Sequence, residues 1–275
     1  MSIFENYGQI DVRNLNVTFE DAQKLFNMYS PLQTNSALSK NLKQVLNFDY
    51  LDILSPRAIY NEIILKHYPN ETSIKSAFIN NILLKSNNHI SIFELKVGDS
   101  RVDLCKVNGC SIAFEIKTDL DNLQRLNKQL YNYSQIFEKV YVICSSNKTK
   151  QINNIIPSEY GIYEYGMSKN GQIKFKHIKE SSLSNNINSI KQLEIMTKRE
   201  LAYNFDVDIS NSRNDNIQNI INIYNSKKIN TIFKNCMKMK YRKQWLFLKE
   251  NHNQIYDIDY QWFFKNTISP SLIYQ

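Results

Sequence analysis

Glycine and proline are scarce here, with 6 and 5 copies in 275 residues. That argues against a turn-rich all-β design and for long helices. Cysteine is limited to Cys105, Cys110, Cys144 and Cys236, with no CxxC pair. None of His67, His89, His177 and His252 stands at zinc-ligand spacing from them. A zinc site is therefore not expected, and a disulfide is disfavoured in a reducing compartment. The cysteines read as small apolar fillers of strands. No apolar run reaches the roughly 18 residues that a membrane span needs. The opening stretch MSIFENYGQIDV has neither the charged nor the apolar region of a signal peptide. The expected location is the cytoplasm.

What is present is enough for a core: hydrophobic residues make up 42% and aromatics 12% of the chain, which excludes global disorder. The net charge of +8 favours a polyanionic partner, nucleic acid before membrane. Asn, Ile, Lys and Tyr are abundant, and no function follows from that.

The chain reads in three parts. Residues 1–68 form a helical extension, with Thr18 and Asp21 spaced as a helix cap and Pro56 at a helix start. Residues 69–182 form the core. A helix with Ile74, Phe78, Ile82 and Leu83 on one side comes first, and Glu71 opens it. The strands ISIFELKV, SRVDLCKV and CSIAFEIK follow, the last two joined by an Asn108-Gly109 hairpin turn. Then come a helix over LDNLQRLNKQLYNYSQIFE and an apolar strand, KVYVICSS. YGIYEYG and GQIKFKHI suggest two short strands about a KNG turn. Residues 183–275 form a basic helical region, with Ile217, Ile220, Ile221 and Tyr224 at helical spacing. SLSNNINS is its most linker-like segment. The expected class is α/β, in the order α-β-β-β-α-β, with a mixed sheet and helical N- and C-terminal additions.

Charges inside an otherwise apolar strand are costly unless paired, coordinated or used. In SIAFEIK, Ile112, Phe114 and Ile116 point one way, and Ala113, Glu115 and Lys117 the other. On the preceding strand Arg101, Asp103 and Cys105 share the polar face, so the hairpin brings Asp103 near Glu115. Two adjacent carboxylates raise each other's pKa unless a cation neutralises them. Mg²⁺ suits such a pair, since it takes one or two carboxylates and keeps waters or phosphate oxygens on its other positions. Lys117 beside it would hold or deprotonate a water or stabilise phosphate charge.

Asp103, followed twelve residues later by Glu115-Ile116-Lys117, resembles the D…(D/E)xK signature of the PD-(D/E)XK nuclease superfamily. Gln129 and Tyr133 resemble the QxxxY arrangement of its RecB-type members, and the element order matches its restriction-endonuclease-like core. A longer run is similar to small stand-alone bacterial members: Arg101, Asp103, Glu115, Lys117, Asp119, Asp121, Leu123, Arg125, Leu126, Gln129, Tyr133, Phe137, Val140 and Ile143. The likeness covers about residues 70–180. Val102 stands where the superfamily's name has Pro. The resemblance implies an Mg²⁺-dependent deoxyribonuclease, with Mn²⁺ able to substitute, hydrolysing DNA phosphodiester bonds in a setting such as defence against foreign DNA. It implies metal ligands Asp103, Glu115, the Ile116 carbonyl and Glu94, with Glu71 as the other candidate for the supplementary acid. Lys117 would act on the water, Gln129 would orient substrate or Lys117, and Arg101 and Tyr133 would contact DNA.

The alternatives belong to other classes. For Asp103, Glu115 and Lys117 the alternative to a metal site is a structural salt bridge on a half-solvated sheet face. Asp119 reads as a helix N-cap, and Asp121 with Arg125 as an i, i+4 ion pair. Ser226 to Lys249 carries eight cations and no acid, among them Lys238, Lys240, Arg242 and Lys243, interleaved with Tyr241 and Trp245. That composition suits a nucleic-acid surface, or a solvated helix whose aromatics pack inward. The partners expected are DNA, with RNA as the alternative, and either a second copy or a partner protein, with no membrane. The rival to the nuclease is a DNA-binding module on a retired nuclease fold.

Overall fold

The computed structural model describes residues 16–46, 55–168 and 171–275. MSIFENYGQIDV, and Lys169 and Asn170 of the expected KNG turn, lie outside them. The chain forms two compact units: Met1–Lys85 with Met167–Lys174 and Lys243–Gln275, and Ser86–Gly166 with Phe175–Arg242.

The first unit is helical. Its first helix, α1 (Phe19–Met28), starts on a reciprocal cap in which the Asp21 N–H donates to Thr18 Oγ1 and the Thr18 N–H to Asp21 Oδ2. α2 (Asn35–Leu46) and α3 (Pro56–His67) follow, with Pro56 in the first turn of α3 where its missing N–H costs nothing. α4 (Glu71–Phe78) is capped by Asn70 and runs on into a π turn over Ile79–Leu83. Leu25, Leu38, Leu42, Ile59, Tyr60 and Ile63 make the core, and Tyr256 and Ile258 join it from the far end of the chain. Asp259 is fully buried there, and its Oδ2 accepts from Tyr29 at 2.9 Å and Tyr274 at 2.7 Å.

The second unit is built on a six-stranded sheet in the order β1-β2-β3-β4-β5-β6. The strands β1 (Ile90–Val97), β2 (Ser100–Val107) and β3 (Ser111–Lys117) form an antiparallel meander. β4 (Lys139–Ser145) and β5 (Gly161–Met167) then add parallel, and β6 (Ile173–Lys179) is the edge. The crossovers carry α5 (Leu126–Ser134) and α6 (Ser146–Ile155). The turn after β2 closes where the Asn108 N–H donates to the Cys110 carbonyl at 3.0 Å. The turn before β6 has Gly171 at φ +73, a conformation that favours glycine. The protein is thus α/β with a mixed sheet and helical additions. All four cysteines are free. Among the described residues, no helix is long and apolar enough to cross a membrane.

Two local expectations differ from the structure. The helix expected from Leu120 begins only at Leu126. Asp121 folds back on Thr118, taking its N–H at 2.8 Å and its hydroxyl at 2.9 Å, while the Lys148 ammonium binds the Thr118 and Asp121 carbonyls. Asp119 is not an N-cap of α5, because its carboxylate accepts from Ser145 and Asn147 at the start of α6. Likewise SLSNNINS is no linker. The Ser182, Ser184 and Asn188 N–H groups donate to the carbonyls of Glu159, Glu138 and Gln135. Polar composition marks slack chain only where the backbone lacks partners.

Beyond it lie α7 (Ser189–Ile195), α8 (Lys198–Phe205), α9 (Arg213–Ile223) and α10 (Ser226–Asn251). α11 (Tyr260–Asn266) and α12 (Pro270–Ile273) close the chain in the first unit.

Burial pushes the Asp259 carboxyl up from 3.8 to about 6, against the pull of Tyr274, Tyr29 and Arg57. The folded chain then holds this proton where the unfolded chain has lost it. Stability should fall as pH rises from about 4 to about 6, by roughly 3 kcal/mol from this group, and level off above. Denaturant unfolding across that range should show the slope in the wild type and its loss in Asp259→Asn.

Candidate functional site

The polar face of β3 is buried rather than half-solvated: Glu115 is 1% and Lys117 9% exposed. The Lys117 ammonium donates to Glu115 Oε1 at 2.7 Å and to Gln129 Oε1 on α5 at 3.1 Å. The Tyr133 hydroxyl, one turn along α5 from Gln129, lies 2.7 Å from Glu115 Oε2 and 2.8 Å from the Arg101 carbonyl. Both Glu115 oxygens are thus engaged by side chains of this centre. Burial alone would lower the Lys117 pKa, but Glu115, with Asp103 and Asp121 behind it, outweighs burial and holds it above the usual lysine value. Lys117 is therefore a fixed ammonium, not a base. Burial, and then Glu115, keeps the Tyr133 phenol protonated far above its normal range.

Asp103 lies where β2 and β3 part. Their ladder ends at Leu104 opposite Phe114, and one step beyond it Asp103 Oδ2 accepts the Ile116 N–H at 2.7 Å. A side chain here replaces a missing backbone acceptor. The β1–β2 ladder pairs Phe93 with Leu104 and Leu95 with Val102 and passes over Glu94, which sits at φ +55. Left-handed backbone is rare for a non-glycine residue, and rarer inside a strand. It sets Glu94 across from Asp103, with a carboxylate oxygen of each within 4.8 Å of the other. Arg101 Nε pairs with Glu94 Oε2 at 2.5 Å, and the Arg101 side chain is 67% exposed. Strand alternation placed Glu94 on a polar face but carries no signal for φ. Glu71 belongs to the first unit, where it pairs with Lys75 at 2.8 Å.

The basic segment is one helix, α10. Two of its eight cations are held by acids far away in sequence: Lys234 by Glu138 at 2.9 Å and Lys240 by Glu200 at 3.0 Å. Glu138 also accepts from Ser111 N–H and Asn230, and these donors with Lys234 keep its pKa below the ordinary glutamate value although burial pushes the other way. Lys227, Lys228, Arg242 and Lys243 are exposed, and Lys238 is partly so. Trp245 is buried, so it packs inward and offers no ring to a base. Tyr241 is partly buried, with the Lys240 ammonium 5.8 Å from its ring centre.

A model of the family described as Bacteriophage P4 protein cII matches residues 65–260. The chain belongs to this family. A curated relative, Protein cII of Enterobacteria phage P4, is 36% identical over 101 residues, which is 37% of this chain and 38% of the relative. The match therefore spans well under half of either protein. No solved structure matches the chain.

These findings overturn the nuclease assignment. The cII family match takes in the whole stretch from Asp103 to Tyr133 on which the PD-(D/E)XK resemblance rested, and no nuclease family is indicated. With the superfamily go the Mg²⁺-dependent deoxyribonuclease activity, endonuclease or otherwise, and the defence setting. The likeness to a restriction-endonuclease-like core is left resting on element order. The misreading has a physical cause. A carboxylate that caps a strand end and a buried Glu–Lys pair on the next strand write the same D…ExK pattern as a cleavage site. Glu115, Lys117, Gln129 and Tyr133 do come together through an ion pair and hydrogen bonds, and Asp103 accepts the Ile116 N–H on the same strand as Glu115.

Breaking that network from one side should cost more than removing both charges. Lys117→Met should destabilise by about 3–5 kcal/mol by leaving Glu115 buried and uncompensated. Glu115→Gln/Lys117→Met should recover part of that loss, as read from chemical unfolding of the three proteins.

Proposed function

We propose that this chain is a nucleic-acid-binding protein that engages its partner through the exposed face of α10. The observation that carries this is the run from Ser226 to Lys249, which has eight cations and no acid and leaves Lys227, Lys228, Arg242 and Lys243 exposed after Glu138 and Glu200 have taken two of the eight. Such a run neutralises phosphates and releases counterions whatever the base sequence. The helix is about 39 Å long at 1.5 Å per residue, enough to follow a duplex for roughly one turn. DNA is the partner tested first, with RNA beside it. A cytoplasmic location accords with that reading, and a second copy or partner protein is compatible with it. Binding needs no bond cleavage, so the family finding and this reading do not conflict.

The expected behaviour is a steep loss of affinity with salt. Removing Arg242 and Lys243 together as alanines should lower the slope of log K against log salt by about 1 for each phosphate that is no longer neutralised, on every sequence alike. Fluorescence anisotropy in a salt series checks this, and a slope unchanged in that variant would refute the assignment of the surface.

A second reading concerns Glu94 and Asp103. Their facing carboxylates would take a hard divalent cation, Mg²⁺ or Mn²⁺ in its place. Their donor set is all oxygen, as such a cation requires, and the cation would take the position of Arg101 on Glu94. Bound there it would neutralise the pair and present open positions to phosphate oxygens. Mn²⁺ titration followed by electron paramagnetic resonance should show one site in the wild type and its loss in Asp103→Asn. An identical titration in both proteins would end the proposal.

A further inference from the structure

We infer that the outer face of α9 reads base edges in the major groove of A·T-containing duplex DNA, while Lys227 and Lys228 hold the adjacent phosphates. This rests on the nucleic-acid reading above and goes further, because it names the form of nucleic acid and the residues that select it.

α9 is an 11-residue helix that hides one side and presents the other. Ile217 and Ile220 are buried at 3% and 0% exposure, while Asn214, Gln218, Asn219 and Asn222 are exposed. Asn214, Gln218 and Asn222 follow at intervals of four, so they form one stripe, each about 40° and 6 Å on from the last. None of the four exposed amide side chains hydrogen-bonds to another described residue. Other amides of the same region are used by the fold: Gln192 binds the Ile136 carbonyl and Asn230, Asn204 binds the Glu200 carbonyl, and Asn216 binds the Asp208 carbonyl. The stripe is thus a row of open paired donors and acceptors on a helix fixed from behind.

That row matches one chemistry well. An amide group pairs its NH₂ with adenine N7 and its carbonyl with adenine N6–H, a bidentate fit made in the major groove. The groove is about 12 Å wide and admits a helix. Charge complementarity supplies the second argument. α9 ends at Ile223, and α10 opens at Ser226 with Lys227 and Lys228, both exposed. The acid at the start of the helix, Asp215, is exposed and accepts from the Ser212 hydroxyl at 2.6 Å in the helix cap. Phosphate contacts at one end and amides along the face divide the work between positioning and base reading.

The test uses the full chain with one A·T-rich and one G·C-rich duplex, each titrated across a salt series. The wild type should prefer the A·T-rich duplex by about tenfold or more. Asn214→Ala/Gln218→Ala/Asn222→Ala should lose that preference and keep its salt slope, with the single variants losing it in part. Lys227→Ala/Lys228→Ala should keep the preference and lower the slope. Thermal unfolding checks that each variant folds. Equal wild-type affinity for the two duplexes, or a preference that survives the triple variant, overturns the inference while leaving the α10 reading in place. Absence of salt-dependent binding to either duplex overturns both.

Discussion

The Glu138 carboxylate is the constraint on which the second unit depends. It stands just before β4, and its oxygens accept from the Ser111 N–H and hydroxyl at the head of β3, from Asn230 and from Lys234. One side chain thereby sets the start of two central strands and fixes α10 against them. Asn230 also receives Gln192, which brings α7 into the same junction. A carboxylate with this many donors is hard to replace, because the buried Ser111 N–H would be left without its acceptor. The helix bearing the exposed cations owes its position to an acid on another element.

The centre around Glu115 follows a related logic. A buried lysine is tolerable because its charge is matched at 2.7 Å and its remaining donor capacity meets Gln129. Asp103 repairs the ladder where β2 leaves β3, and Glu94 departs from strand geometry directly opposite. Strain at Glu94 and repair at Asp103 concentrate polar groups on the buried part of the sheet. A network of this kind specifies register, since a slip of one residue would carry every one of these groups to the wrong face.

Much of this architecture was legible in the sequence. Alternation in SIAFEIK and SRVDLCK gave the strands and their faces, the Asn-Gly turn gave their pairing, and the i, i+4 spacing of Gln129 and Tyr133 put both on the side of α5 that meets Glu115. What stayed hidden needed partners remote in sequence. Nothing local indicates that Lys234 and Lys240 find Glu138 and Glu200, or that Glu94 adopts φ +55. The helix expected from Leu120 was lost to a side chain, Lys148, that binds carbonyls a helix would otherwise have used. Function was the least legible level. The residues of a cleavage motif and of a structural ion-pair network are the same residue types at the same spacing, and only the family match separated them.

The tethering of the SLSNNINS segment has a consequence for how this chain could be divided or recombined. Its backbone donates to Glu138, Gln135 and Glu159, and the Ser184 hydroxyl to Ser134, so the segment closes the lower rim of α5 and the entrance to β4 as it passes. A cut there would separate no modules. It would strip donors from the carbonyls of the sheet half and the anchoring acid from the helical half at once. The helices that follow are therefore not a cassette joined by a hinge, and evolution could exchange them only together with the strands that hold them.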